Sequence, residues 1–136
     1  MAYEAYYDPE AVTERMTKML GGYAQFDAKT GMANVNGMNR DFVKNIAQAM
    51  GISMDEAMSI AKKQAEIKYK EGAYSTELGK ISKENRDAVL NRSYVDTNTG
   101  HLMINDVSGK AHDITKNGLD ESILEELQKF DNMSEK

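Results

Sequence analysis

The chain has 136 residues, no cysteine and a net charge of −5 at neutral pH, which suits a single domain over 1–136 that buries roughly two-thirds of its unfolded surface. Without cysteine there is neither a disulfide-stapled scaffold nor a thiolate metal site, and the acidic balance argues against a general polyanion binder, because phosphate contacts need clustered Lys or Arg. No apolar run approaches the ~18 residues that span a bilayer and no basic-then-apolar leader opens the chain, so the expectation is no membrane partner and no export by a cleaved signal.

Residues 1–7 hold Tyr3, Tyr6 and Tyr7 in a small, acidic stretch. This aromatic arm reads either as a packed N-terminus or as a partner-facing patch, since tyrosine joins a large contact area to a polar tip. Asp8-Pro9 then opens a helix, Asp as N-cap and Pro where its missing N–H costs nothing. Val12, Met16, Met19 and Leu20 form its apolar face, and Gly21-Gly22 ends it. Over 23–36 a short alternating run, an Asp27-x-x-Thr30-Gly31 turn and a second short run predict a β-ribbon.

The stretch 39–72 predicts two helices joined at Gly51-Ile52-Ser53. Met38, Phe42, Val43, Ile46, Ala47 and Met50 recur at i, i+4, i+8 as the core face of the first. Gly51 supplies the left-handed residue that closes it, with Ile52 able to fold back on its end. Ser53-Met54-Asp55-Glu56 is a capping box for the second. There Met54, Ala57, Met58, Ala61 and Ala65 make the buried stripe, while Asp55 and Glu56 at the start and Lys62, Lys63, Lys68 and Lys70 toward the end agree with the helix dipole.

Residues 72–80 lose helical periodicity and predict an internal loop or hinge. Ser82 restarts a helix to about Asn91, whose few apolar contacts are Ala88, Val89 and Leu90. A second β-ribbon follows over 94–114. Its Asp96-x-x-Thr99-Gly100-x-x-x-Ile104-Asn105 matches Asp27-x-x-Thr30-Gly31-x-x-x-Val35-Asn36 without a gap, through shared ancestry or the convergent grammar of a turn in which Asp bonds its own backbone and Gly supplies positive φ. A second turn over 106–109 allows three strands. Leu119, Ile123, Leu124, Leu127 and Phe130 mark a C-terminal amphipathic helix, and 131–136 read as a frayed tail. The expected fold class is therefore α+β, mostly helical, with a central helical hairpin and two short β-ribbons.

No catalytic, cofactor-binding or metal site is predicted. An even-length turn would place His101 and His112 on one face of the second ribbon, but two imidazoles need a third converging ligand such as Asp96 or Asp106 to hold zinc. Asp96-x-Asn98-x-Gly100 departs from a calcium loop, with Gly one position early and Val107 where a bidentate Glu belongs. No serine sits in a Gly-x-Ser-x-Gly context. The Asn91 and Asn132 glycosylation patterns are short enough to arise by chance. Small residues and Gly51 at the break also permit a helix-turn-helix reading as a DNA-binding or regulatory protein. Against it, Met54, Asp55 and Glu56 head the would-be recognition helix, and carboxylates there repel phosphate.

The run from Ile46 through Gly51-Ile52-Ser53-Met54-Asp55-Glu56 to Lys63 resembles helix, small-residue turn, Gly-Ile-Ser-x-Asp-Glu, helix segments of bacteriophage tail tape-measure and related virion-associated structural proteins. Because full tape measures are very long helical chains, the resemblance implies a fragment or an accessory virion component. It implies structural and assembly roles and carries over no catalytic residue. The expectation is thus a non-catalytic structural or protein-interaction domain of phage or prophage origin, cytoplasmic or virion-associated. It would use a protein partner or self-association and no cofactor, with Tyr3, Tyr6 and Tyr7 as candidate partner surface. Ten methionines suit an adaptable packing surface or simply a Met-rich core.

Overall fold

The computed structural model describes residues 8–134, with side chains through Lys129. The arm with Tyr3, Tyr6 and Tyr7 lies outside the described residues. The fold is α+β and mostly helical: among the described residues there are seven α-helices, a two-stranded and a three-stranded sheet. The chain divides into two compact units, one running up to Phe26 and over Met32–Lys68, the other comprising Asp27–Gly31 and the chain from Tyr69 onward.

In the first unit α1 (Pro9–Gly21) starts where Asp8 accepts the Glu10 N–H at 3.0 Å, with Pro at its first turn. Strands β1 (Ala24–Asp27) and β2 (Met32–Val35) pair as the first ribbon. Asn36 caps a 3-10 turn at Gly37–Asn39 that feeds α2 (Arg40–Met50). Gly51, at φ 73°, donates to Gln48 O while Ile52 N donates to Ala47 O, the paired bonds that close a helix around a left-handed residue. Ser53 Oγ then accepts from Glu56 N at 3.1 Å and opens α3 (Met54–Ala73). Leu20, Val43, Ala47, Ala57 and Ala61 form the buried core. Small alanines bring the helices close, and Gly21 is part of that fit: a Cβ there would lie 2.7 Å from the Gln64 Cβ.

Two residues expected in this core are not in it. Met38 is 82% and Phe42 53% exposed. Met38 sits in the 3-10 turn before α2, and Phe42 is one helical step, about 100°, off the Val43–Ala47 ridge that faces inward. Phe42 instead stacks on Tyr23, with ring centroids 5.3 Å apart and planes 5° from parallel.

In the second unit the stretch 72–80, expected as a loop or hinge, is helical. α3 continues to Ala73 and α4 (Ser75–Gly79) follows. Lys70, Tyr74 and Leu78 are all buried, at i, i+4, i+8, and Tyr74 N and Leu78 N donate four residues back at 2.9 Å. The first member of that inward stripe is a lysine, so hydropathy hides it. α5 (Lys83–Arg92) leads into strands β3 (Tyr94–Val95), β4 (Leu102–Asn105) and β5 (Ala111–Asp113), in the order β3-β4-β5, with Val95 opposite Leu102 and Ile104 opposite His112. One turn, α6 (Ile114–Asn117), precedes α7 (Glu121–Ser134), which runs on through most of the stretch expected as a frayed tail. Val89, Leu102, Ile104, Ile114, Ile123 and Leu127 are the core.

Candidate functional site

The chemistry-bearing side chains of the second unit gather on its ribbon. Asp106 N donates to Lys110 O at 2.9 Å, leaving the loop 107–109 closed by Gly109 at φ 90°. A three-residue loop ending in a left-handed glycine is a standard hairpin connection. Its odd length corrects the expectation for the histidines. His112 shares a face with Ile104, and His101, one step before Leu102, lies on the other.

Each imidazole has its own carboxylate. His101 Nδ1 lies 2.6 Å from Asp113 Oδ2, and His112 Nε2 lies 2.8 Å from Asp106 Oδ2, with Asp120 3.8 Å from its Nδ1. Hydrogen bonds from His112, then from Ser108, hold the Asp106 carboxyl far below the usual carboxylate range, outweighing the opposing effect of burial; the Lys110 and Ser108 backbone N–H groups add to it. His101 foremost lowers Asp113, again against burial, with smaller help from Lys116 N. Asp106 thus lies between the Ser108 hydroxyl, 2.5 Å away, and the imidazole. Nucleophilic activation needs the imidazole in the middle, taking the hydroxyl proton. This arrangement instead ties down a loop.

Asp96 and Asp27 play the same local part in their turns. Their Oδ1 atoms accept from Asn98 N (3.2 Å) and Lys29 N (2.9 Å), and Gly100 N and Gly31 N, at φ 74° and 72°, donate to the backbone carbonyls of Asp96 and Asp27. Asp96 is therefore not brought to either histidine as a ligand. Among the described residues no group of three or more His, Asp or Glu side chains is placed to hold a metal ion. A surface cavity of ~560 Å³ is lined by Lys80, Ser82, Asn85, Ile114 and Lys116 among others. His112 borders a separate one of ~400 Å³.

Sequence reading missed two cations that hold this unit together. Lys70, placed among the dipole-matched charges of α3, is fully buried, its Nζ donating to Leu90 O and to Ser93 O at 2.9 Å at the C-terminal end of α5. Arg86 Nε donates to Leu78 O (3.0 Å) in the last turn of α4 and to Ile81 O (2.9 Å) just after it. The one available signal was Lys70's helical spacing from Tyr74 and Leu78. Tyr74 is buried too; its hydroxyl donates to Gly100 O at 2.6 Å, and burial first, then Tyr69 and Glu77, push its pKa up.

The first unit exposes apolar side chains. Met19, Met32, Met38 and Phe42 are each more than half exposed, and Phe42 is braced by its stack on Tyr23. Isolated exposed apolar residues are ordinary, whereas contiguous apolar patches are the ones associated with contact surfaces. No described helix is long and apolar enough to cross a membrane. No protein-family model, curated protein or solved structure matches the chain.

Proposed function

We propose that the chain is a non-catalytic structural or protein-interaction component, and that the first unit carries the contact surface. The observation that supports this most is the exposure of Met38 in the turn before α2 and of Phe42 in its first turn, 82% and 53% accessible, with Phe42 stacked on Tyr23. Flexible thioethers and a fixed aromatic pair each suit a partner face that adapts to what it meets. The resemblance of 46–63 to virion segments favours a phage or prophage assembly role, in the cytoplasm or on the virion, with Tyr3, Tyr6 and Tyr7 as candidate partner residues.

The test is light scattering over a concentration series, with an environment-sensitive dye as a second readout, on the intact chain, on one lacking residues 1–7, and on a Met38→Ser/Phe42→Ser double variant. Association or dye binding by the intact chain, lost in the double variant while stability changes by no more than about 0.5 kcal/mol, supports the reading. A strict monomer that binds no dye sinks it.

The second reading is DNA binding through α2, Gly51 and α3. The tight left-handed turn at Gly51 favours it, and the exposed Asp55 and Glu56 at the head of α3 oppose it. Retention of random duplex at micromolar protein and low salt in a gel-shift assay would move the function to this alternative.

A further inference from the structure

The sequence contains two Asn-Gly pairs, Asn36-Gly37 and Asn117-Gly118. Both asparagines are exposed, and both lack the following side chain that ordinarily shields the backbone nitrogen from attack. In an unfolded chain they would age alike. The fold separates them.

Asn36 has backbone angles φ −60° and ψ 142° ahead of the 3-10 turn, and its Oδ1 accepts the Met38 N–H at 2.8 Å. That bond fixes the side-chain carbonyl on the backbone two residues ahead and pulls electron density from the amide carbon. Among the described residues no turn, loop or cap hydrogen bond uses the Gly37 N–H, and the space where its side chain would be is open, with nothing within 4 Å. Asn117 is instead the last residue of α6, and Gly118 N donates to Ile114 O at 2.8 Å. The nitrogen that would have to attack is already committed, and releasing it undoes the helix end.

We infer that Asn36-Gly37 is a self-modification site, at which the folded chain deamidates selectively while Asn117-Gly118 is protected. The Gly37 nitrogen, having given its proton to hydroxide, bonds to the Asn36 side-chain carbonyl carbon. The amide nitrogen takes a proton from water, regenerating the hydroxide, and leaves as ammonia as its bond to carbon breaks, so that a five-membered succinimide remains. Water then opens the ring at either carbonyl, giving aspartate or isoaspartate, with no oxidant or reductant involved. Aspartate keeps an acceptor for Met38 N and adds a negative charge at the start of the helical segment, where it is stabilising. Isoaspartate lengthens the main chain by one carbon and displaces the cap that sets Met38 and α2. This inference is independent of the proposed contact surface.

The experiment is peptide mapping by mass spectrometry of the intact chain, with an isoaspartate-specific readout, during incubation in mildly alkaline buffer with and without urea. In the native chain Asn36 should convert about tenfold faster than Asn117, the factor that corresponds to breaking one hydrogen bond before attack. In urea the ratio should fall to near unity. Gly37→Ala, whose Cβ meets nothing, should slow conversion at Asn36 and leave Asn117 unchanged. Equal rates at the two sites in the native chain, or a rate ratio unaltered by urea, overturns the assignment.

Discussion

The two units end their helices by different means. In the first, each end is finished by a neighbour in sequence: Asp8 for α1, Asn36 for the 3-10 turn, Gly51 for α2 and Ser53 for α3. The second adds cations from a distance, with Lys70 reaching carbonyls 20 and 23 residues along and Arg86 reaching back eight and five. Either device satisfies carbonyl or N–H groups that a helix cannot satisfy internally. A local cap depends on two or three residues, however, while a distant one depends on the whole unit already being folded. The second unit therefore carries more of its stability in single side chains.

The sharpest way to break the comparison is Lys70→Met. It leaves Leu90 O and Ser93 O buried without their ammonium, and the loss should be about 3 kcal/mol in urea unfolding, because hydrogen bonds to a charged group are the strong ones and orphaned partners are costly. A loss under about 0.5 kcal/mol, the usual surface range, would show that the long-range cap is dispensable. In the first unit Gly21→Leu drives a side chain into Gln64 and should cost about 2 kcal/mol by overpacking; a neutral result would mean that α1 can shift away from α3. Tyr74→Phe, which deletes only the bond to Gly100 O, should cost about 1 kcal/mol.

The smallest effect is one of pH. Asp106 and Asp113 are more acidic folded than unfolded, so the unfolded chain binds protons first as the pH falls below about 4, and the stability they contribute above that is progressively lost. Asp106→Asn should flatten this decline in a urea-midpoint series taken from neutral to acid pH. An unchanged slope would remove the His112–Asp106 pair from the account of acid sensitivity.

Legibility followed the same division. Asp8-Pro9, Gly51 and Ser53 announce helix ends because capping is short-range chemistry, and the alanine stripe of α3 was visible as a 3.6-residue period. Phe42 was misplaced because periodicity fixes a face only to within a helical step. The 72–80 stretch was misread because its inward positions begin with Lys70, and a buried charge looks like a solvated one until its partners are known. The His101 and His112 faces turned on whether the loop after Asp106 holds an odd or even number of residues, which its turn-forming composition does not settle. The His101–Asp113 and His112–Asp106 pairings are set by tertiary placement and had no motif to announce them.

An ammonium wholly enclosed by protein is also beyond the reach of amine-modifying reagents. Brief acylation of the native chain should label exposed Lys110 and Lys116 at once and reach Lys70 only as often as its surroundings open. The lag between them would serve as a built-in clock for breathing of the second unit, readable by mass spectrometry without any added probe.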